Sequence, residues 1–134
     1  MPPRKTETLP LKSPSDVVAA RQAVRQWATE MKFTLVDQTK IVTATSELAR
    51  NAVQHGGGGV MILTIEENGL RQGLKLTFED KGPGIPDVEQ AMRDGFTTAG
   101  GMGLGLSGSK RLMNHFEIET KVGEGTRVSV TRWK

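Results

Sequence analysis

The chain has 134 residues, 18 basic and 15 acidic side chains, a net charge of +3 and no cysteine. The lack of cysteine excludes disulfide bonds and thiolate metal sites, and the two histidines, His55 and His115, are too far apart in sequence to suggest a zinc site. A chain of this length can bury roughly two-thirds of its unfolded surface without such cross-links. We therefore expect a single domain, residues 1–134, in a reducing cytoplasm.

Two classes of partner are disfavoured by composition. No stretch approaches the ~20 consecutive apolar residues of a membrane span, and no apolar run follows Met1–Lys5, so we expect neither a membrane segment nor a signal peptide. The basic residues are scattered, tyrosine is absent, and there are only four Phe and two Trp. Since nucleic-acid grooves combine clustered cations with stacking aromatics, an ordinary solvated surface is favoured over nucleic-acid binding.

The first elements along the chain are an extended arm and a helix. The arm covers residues 1–12, and residues 8–11 suit an edge strand, where proline is tolerated. A helix is predicted from about 14 to 31, because Ser13 is a favourable N-cap and Pro14 suits the first helical position. Apolar residues then recur at helical spacing, which supports the assignment.

A second helix and a hairpin are predicted next. The helix begins at the N-cap Asp37 and runs to about His55, where four consecutive glycines, 56–59, end it, since each costs roughly 1 kcal/mol relative to alanine in a helix. Residues 60–66 and 74–79 alternate apolar and polar side chains and form an antiparallel hairpin.

The remaining elements follow a turn-dense segment at residues 80–86. They are a short helix at 87–92, a glycine-rich lid at 95–105, a helix at about 104–114, and two strands at 116–121 and 126–131. Strands grouped in hairpins with helices between them predict an α+β sandwich that carries its helices on one face of the sheet.

Glu47 and Asn51 form the first candidate site. They lie four residues apart on the second helix and therefore share a face. Asparagine offers a neutral carbonyl oxygen to an octahedral Mg²⁺ shell, and glutamate offers a carboxylate that can accept a proton from an attacking hydroxyl. Taken alone, such a pair more often indicates a solvent-facing polar ridge.

Three further features are ambiguous when each is considered alone. Asp80, Gly82 and Gly84 combine a carboxylate at a strand end with glycines that let the backbone approach a flat ligand, yet the pattern also fits a plain turn. The glycines of residues 100–105 precede a helix and can present N–H groups to phosphates, or form an ordinary flexible loop. They do not match a P-loop, because Ser109 and Lys110 follow in the wrong order. Thr126 begins the last strand and, by itself, indicates only a turn.

In combination, these features resemble the GHKL family of ATP-binding domains, which includes gyrase, Hsp90, histidine kinases and MutL. The resemblance covers residues 15–131 and rests on four motifs in order: Glu47–His55 (N-box), Asp80–Gly84 (G1 box), Gly101–Gly105 (G2 box) and Gly125-Thr126. It implies a Bergerat fold, a two-layer sandwich with a mixed, largely antiparallel sheet covered by helices, and it implies ATP and Mg²⁺ as ligands.

The resemblance also implies a role for each matching residue. Asn51 would bind Mg²⁺, Asp80 would accept a hydrogen bond from the adenine amino group, and Thr126 would support Asp80 through water. Gly82 and Gly84 would approach the base. The phosphate side of the site would be closed by Gly101, Gly103 and Gly105.

Within this family the chain resembles the anti-sigma-factor serine kinases and, more closely, the RsbT-type switch kinases of bacterial stress signalling. The segments 46–51, 87–95 and 110–113 carry that likeness, as does the ending near Trp133. A chain of 134 residues leaves no room for the extra domains of gyrase, Hsp90 or MutL. Kinases of this group phosphorylate Ser or Thr on STAS-domain antagonists, and RsbT-type members also activate a PP2C-type phosphatase.

The mechanism predicted from this resemblance makes Glu47 the general base for a partner's hydroxyl. Lys110 or Arg111, near the start of the last helix, would face the phosphates, although a solvated helix face fits them equally. An alternative function is an anti-sigma factor or nucleotide-dependent binding module that captures its partner with little turnover. A third, an ATPase without a protein acceptor, is disfavoured because hydrolysis would drive nothing.

Overall fold

The computed structural model describes residues 6–85, 92 and 105–134. Within them lie five strands and three helices, which we number in chain order. The strands are β1 (Thr6–Leu11), β2 (Gly59–Asn68), β3 (Arg71–Asp80), β4 (His115–Lys121) and β5 (Gly125–Trp133). The helices are α1 (Pro14–Glu30), α2 (Leu35–Gln54) and α3 (Gly105–Leu112). No helix among the described residues is long and apolar enough to cross a membrane.

The five strands form one sheet in the order β1-β2-β3-β5-β4. All four pairings among the described strands are antiparallel, where the sequence had predicted a mixed, largely antiparallel sheet. Residues 6–11 of the N-terminal arm form the edge strand β1, which contains the edge strand predicted at residues 8–11. One rung of the sheet places Gly59 beside Asp80, Asp80 beside Thr126, and Thr126 beside Thr120.

The helices pack on one face of the sheet, as predicted. Alternation along β3 and β5 directs Leu76, Phe78 and Val130 to this face, where all three are buried. Helix α2 supplies Ile41 and Leu48 to the same core. Asp80 and Thr126 each lie two positions from a buried apolar residue of the same strand. Since side chains alternate between the faces of a sheet, both also point to the helix side.

The start of α2 differs from the prediction, which made Asp37 the N-cap. The N-cap is Thr34, whose hydroxyl accepts a hydrogen bond from the Asp37 N–H at 3.2 Å, and Asp37 lies in the first turn. The sequence pattern was misleading because both residue types are good N-caps three positions apart. The Asp37 carboxylate instead binds Arg132 of β5 at 2.8 Å. Arg132 also donates to the Leu112 carbonyl at 3.1 Å, so one guanidinium joins β5, α2 and α3.

The connection between α1 and α2 contains Lys32, the one non-glycine residue with a left-handed backbone among the described residues, at φ 66°. The Phe33 N–H donates to the Ala28 carbonyl and the Lys32 N–H to the Thr29 carbonyl, each at 3.0 Å. These bonds form a Schellman motif, in which glycine is the preferred residue at the position of Lys32.

We expect Lys32→Gly to raise the free energy of unfolding by about 0.5–1 kcal/mol, because glycine adopts positive φ without steric cost. Urea denaturation followed by circular dichroism measures the change. The matched control is Lys40→Gly inside α2, which should lower stability by roughly 1 kcal/mol. Equal losses in both variants would show that the left-handed backbone at Lys32 carries no strain.

Candidate functional site

Glu47 and Asn51 lie one turn apart on α2, in the half of the helix nearer its C-terminal end. Glu47 is 4% exposed, and its Oε1 accepts a hydrogen bond from Arg50 Nη1 at 3.1 Å. Asn51 is half-buried, and no hydrogen bond to its side-chain amide comes from the described residues. A half-buried amide without a protein partner leaves its carbonyl oxygen available to a ligand.

The end of α2 contacts the end of β3 through Gly56. The Gly56 N–H donates to the Asn51 carbonyl at 3.1 Å, and a side chain at Gly56 would collide with the Asp80 carboxyl group. The helix carrying Glu47 and Asn51 thus ends directly against Asp80. Asn51 and Asp80 are 29 residues apart in sequence, yet the two motifs that contain them are neighbours in the fold.

Asp80 has one oxygen engaged and one available. Its Oδ1 accepts a hydrogen bond from the Gly82 N–H at 3.0 Å. No hydrogen bond to Oδ2 comes from the described part of the chain. A half-buried carboxylate oxygen without a protein donor can accept an N–H from a bound molecule, as adenine recognition requires.

Thr126 faces the same side of the sheet as Asp80 and hydrogen-bonds to Thr120, with 2.9 Å between the hydroxyl oxygens. Thr120 also donates to the Gly125 carbonyl at 3.2 Å and accepts from the Ile85 N–H at 2.9 Å. Either hydroxyl can supply the proton of this contact, and in both arrangements the Thr126 oxygen retains acceptor capacity. This pair anchors the segment after Asp80 to the end of β4.

The two glycines of the turn after β3 have different roles. A side chain at Gly82 would lie 2.6 Å from the Gly56 backbone, so Gly82 permits the close approach of this turn to the end of α2. Gly84 has φ +78° and lies against the backbone of Lys121, which makes its left-handed conformation and its lack of a side chain both necessary. The neighbouring Pro83 carbonyl accepts from the Gly123 N–H at 2.8 Å.

The predicted phosphate-side residues are only partly covered by the described chain. Gly101 and Gly103, and the helix predicted from Asp87 up to residue 91, lie outside the described residues. Gly105 is the first residue of α3. Lys110 and Arg111 are exposed in the last turn of α3, not near the start of this helix as predicted. Contact of either residue with the phosphates stays a prediction.

A cleft of about 910 Å³ opens at this end of the sheet. Asp80, Thr120 and Thr126 line it from the helix-facing side, and Val60 and Glu79 line it from the other face. Glu47 and Asn51 are not among the described residues that line the cleft. The cleft therefore lies at the strand ends beside Asp80 and Thr126, and its described lining does not include the helix residues of the candidate site.

Three residues at the site were not predicted from sequence. Gly56 was interpreted only as a helix stop, although its missing side chain leaves the room that Asp80 occupies. Thr120 appeared only as part of a strand, and its pairing with Thr126 depends on the β4–β5 register. Arg50 was included in the motif without a role, although its spacing of three residues from Glu47 on a helix does predict contact.

Comparison with known sequences supports one family. Residues 36–134 match the family described as histidine kinase-, DNA gyrase B-, and HSP90-like ATPase. The serine/threonine-protein kinase RsbT of Bacillus subtilis is 49% identical over 119 residues, which cover 88% of this chain and 89% of that protein. An anti-sigma F factor of Geobacillus kaustophilus is 34% identical over 117 residues, covering 81% of this chain and 78% of the relative.

Solved structures show the same fold. The structure of the RsbU and RsbW domains of Rv1364c from Mycobacterium tuberculosis aligns with a TM-score of 0.67 at 22% identity, covering 98% of this chain. This chain spans 32% of that longer protein. The mycobacterial sensor histidine kinase MprB aligns with a TM-score of 0.55 at 18% identity, covering 94% of this chain and 95% of that structure.

Proposed function

Because the chain belongs to the histidine kinase-, DNA gyrase B- and HSP90-like ATPase family, we propose that it binds ATP and transfers the γ-phosphoryl group to a serine or threonine of a STAS-domain protein. The observation that carries the proposal is a buried carboxylate, Glu47, one helical turn from Asn51 on a helix that ends against Asp80. The Asn51 amide has no hydrogen-bond partner among the described residues. The relative named as a serine/threonine-protein kinase, at 49% identity, supports the same activity.

The ATP base fits the strand end of the site. Asp80 Oδ2 accepts the adenine amino group while Oδ1 stays bound to the Gly82 N–H, and Thr126 supplies an acceptor on the same face for a bridging water. Gly56 and Gly82 keep this corner free of side chains. The base is therefore selected by a carboxylate whose position is already fixed by the protein backbone.

The phosphates extend from this corner along α2. Asn51 offers its carbonyl oxygen to Mg²⁺, which uses few protein ligands and takes others from phosphate and water. When bound, Mg²⁺ supplies charge neutralisation at the phosphates. Glycines 101, 103 and 105 are proposed to close over the phosphate side, with Gly105 at the N-terminal end of α3.

Besides charge neutralisation at the phosphates, transfer needs a positioned acceptor and a base. The hydroxyl oxygen of the partner attacks the γ-phosphorus in line, the bond to the β,γ-bridging oxygen breaks, and ADP leaves. Glu47 takes the hydroxyl proton as the new bond forms. The chain's own contribution is thus orientation of the acceptor by docking and removal of one proton.

A second candidate function, nucleotide-dependent capture of a partner with little turnover, is favoured by the anti-sigma F factor relative at 34% identity. The two functions share the ATP site and differ in whether the partner leaves phosphorylated. Activation of a PP2C-type phosphatase, a cytoplasmic location and the use of the whole chain as one domain belong to the same proposal.

The test is to incubate the purified protein with ATP labelled at the γ-phosphate, Mg²⁺ and a STAS-domain protein of bacterial stress signalling. Label on a serine or threonine of the partner supports the kinase. A stable ATP-dependent complex without label would transfer support to the capture function. Absence of ATP binding would contradict both.

Gly56 provides a further prediction about the nucleotide site. We expect Gly56→Ala to weaken ATP binding by about tenfold, because the added methyl group must displace the Asp80 carboxyl from its hydrogen-bonding position. Isothermal titration calorimetry measures the change. Gly69→Ala is the matched control, since nothing lies within 4 Å of a side chain there, although its φ of +64° makes alanine strained. Equal ATP affinity in both variants would show that Gly56 does not position Asp80.

A further inference from the structure

The carboxylate of Glu47 has a single cationic partner among the described residues. Its side chain is 5% exposed and lies 3.1 Å from Arg50 Nη1, while the Arg50 side chain is 27% exposed. The contact uses Oε1, and no hydrogen bond to Oε2 comes from the described residues. One oxygen is therefore held by the guanidinium and the other is available for a proton.

This pair differs from an ordinary pair on a helix surface. Exposed ion pairs three residues apart on a helix contribute little to the stability of the fold, because both side chains exchange between the partner and water. A buried carboxylate has no water to exchange with, so removing its partner leaves the charge uncompensated. The contact is a single bond from Nη1 to Oε1, so it restrains one carboxylate oxygen and leaves the other without a cation.

We propose that Arg50 is a positioning residue for phosphoryl transfer: it holds Oε1 of Glu47 so that Oε2 faces the acceptor hydroxyl. This inference rests on the proposed function, since it concerns the proposed base. It gives Arg50 no contact with the nucleotide and no proton to carry. Its effect should therefore appear in the turnover number of transfer and not in ATP affinity.

The experiment is a double-mutant cycle with Arg50→Met, Glu47→Gln and the double variant, using single-turnover transfer of labelled phosphate to the STAS-domain protein. We expect Arg50→Met to lower the transfer rate about 10- to 100-fold, as displaced catalytic groups do, with ATP affinity and the KM for the partner within about twofold of wild type. In the Glu47→Gln background, Arg50→Met should have no further effect, because Arg50 acts through Glu47. Arg50→Lys should recover part of the lost rate.

Two controls keep the result specific. Arg21→Met makes the same change at an exposed position of α1 and should leave the transfer rate unaltered. Should Arg50→Met fail to fold, judged by thermal unfolding, Arg50→Gln replaces it in the cycle under the same criteria.

Three results would overturn the inference. Independent, multiplicative losses in the cycle would mean that Arg50 acts elsewhere. A loss of ATP affinity as large as the loss of rate would make Arg50 a nucleotide ligand. No transfer by the wild-type protein would remove the proposed function and this inference with it, whereas wild-type transfer with an unaffected Arg50→Met variant would remove the inference alone.

Discussion

Replacing Glu47 with glutamine is expected to lower the rate of phosphoryl transfer about 10²- to 10⁴-fold, the range that a general base contributes, with ATP affinity within about twofold of wild type. Glutamine keeps the length and shape of the side chain but cannot take up the hydroxyl proton. Since Glu47 is buried, the substitution also removes a charge from beside Arg50. Because only proton removal is lost, the rate of phosphoryl transfer should fall while the affinity for ATP stays nearly constant.

The measurement is single-turnover transfer of labelled phosphate, with ATP affinity obtained separately by calorimetry. Glu67→Gln, an exposed position near the end of β2, is the matched control and should transfer at the wild-type rate. Asn51→Ala should give a different pattern. Loss of the proposed Mg²⁺ ligand should weaken the binding of Mg·ATP and also lower the rate of transfer. Full transfer by Glu47→Gln would mean that another group removes the proton.

Asp80→Asn should weaken ATP binding about 10- to 100-fold. In the complex, the asparagine amino group would face the adenine amino group, and two donors that are shielded from water by the bound base cannot hydrogen-bond to each other. Asparagine can still accept the Gly82 N–H through its carbonyl oxygen, so the turn should keep its conformation. Its amino group then takes the place of Oδ2 and points at the adenine amino group.

Inosine triphosphate separates recognition of the base from damage to the fold. Its base carries an oxygen in place of the amino group and can accept a hydrogen bond. The wild-type protein should prefer ATP, and Asp80→Asn should reduce or reverse that preference. Weaker binding of both nucleotides by the same factor would contradict direct contact between Asp80 and the base.

Much of the fold was predictable because its signals are local. Proline at the start of α1, four glycines after α2 and strict alternation in β3 each determine one element from neighbouring residues. The Thr34 cap was missed because Thr34 and Asp37 are both good caps, and the choice depends on Arg132, 95 residues away in sequence from Asp37. A long-range ion pair leaves no local pattern.

The candidate site divides in the same way. Glu47 and Asn51 were identifiable because helical spacing alone places them together. The role of Gly56 was not identifiable, since the group that needs its missing side chain is on β3. Thr120 could be found only after the register of β4 and β5 was known. Sequence patterns thus indicate candidate ligand-contacting residues more readily than the residues that position them.

The rung that contains Gly59, Asp80, Thr126 and Thr120 has a consequence for folding. It joins two hairpins through the pairing of β3 with β5, in which Asp80 lies beside Thr126, 46 positions later in the sequence. Such non-local pairings form slowly because loop closure must come first. The corner proposed to hold the base therefore exists only in chains whose sheet is complete. A ligand that binds only such chains raises the free energy of unfolding. The increase is about 2.7 kcal/mol when the ligand concentration is one hundred times its Kd. The cell's nucleotide pool would then act on this protein as a folding ligand as well as a substrate.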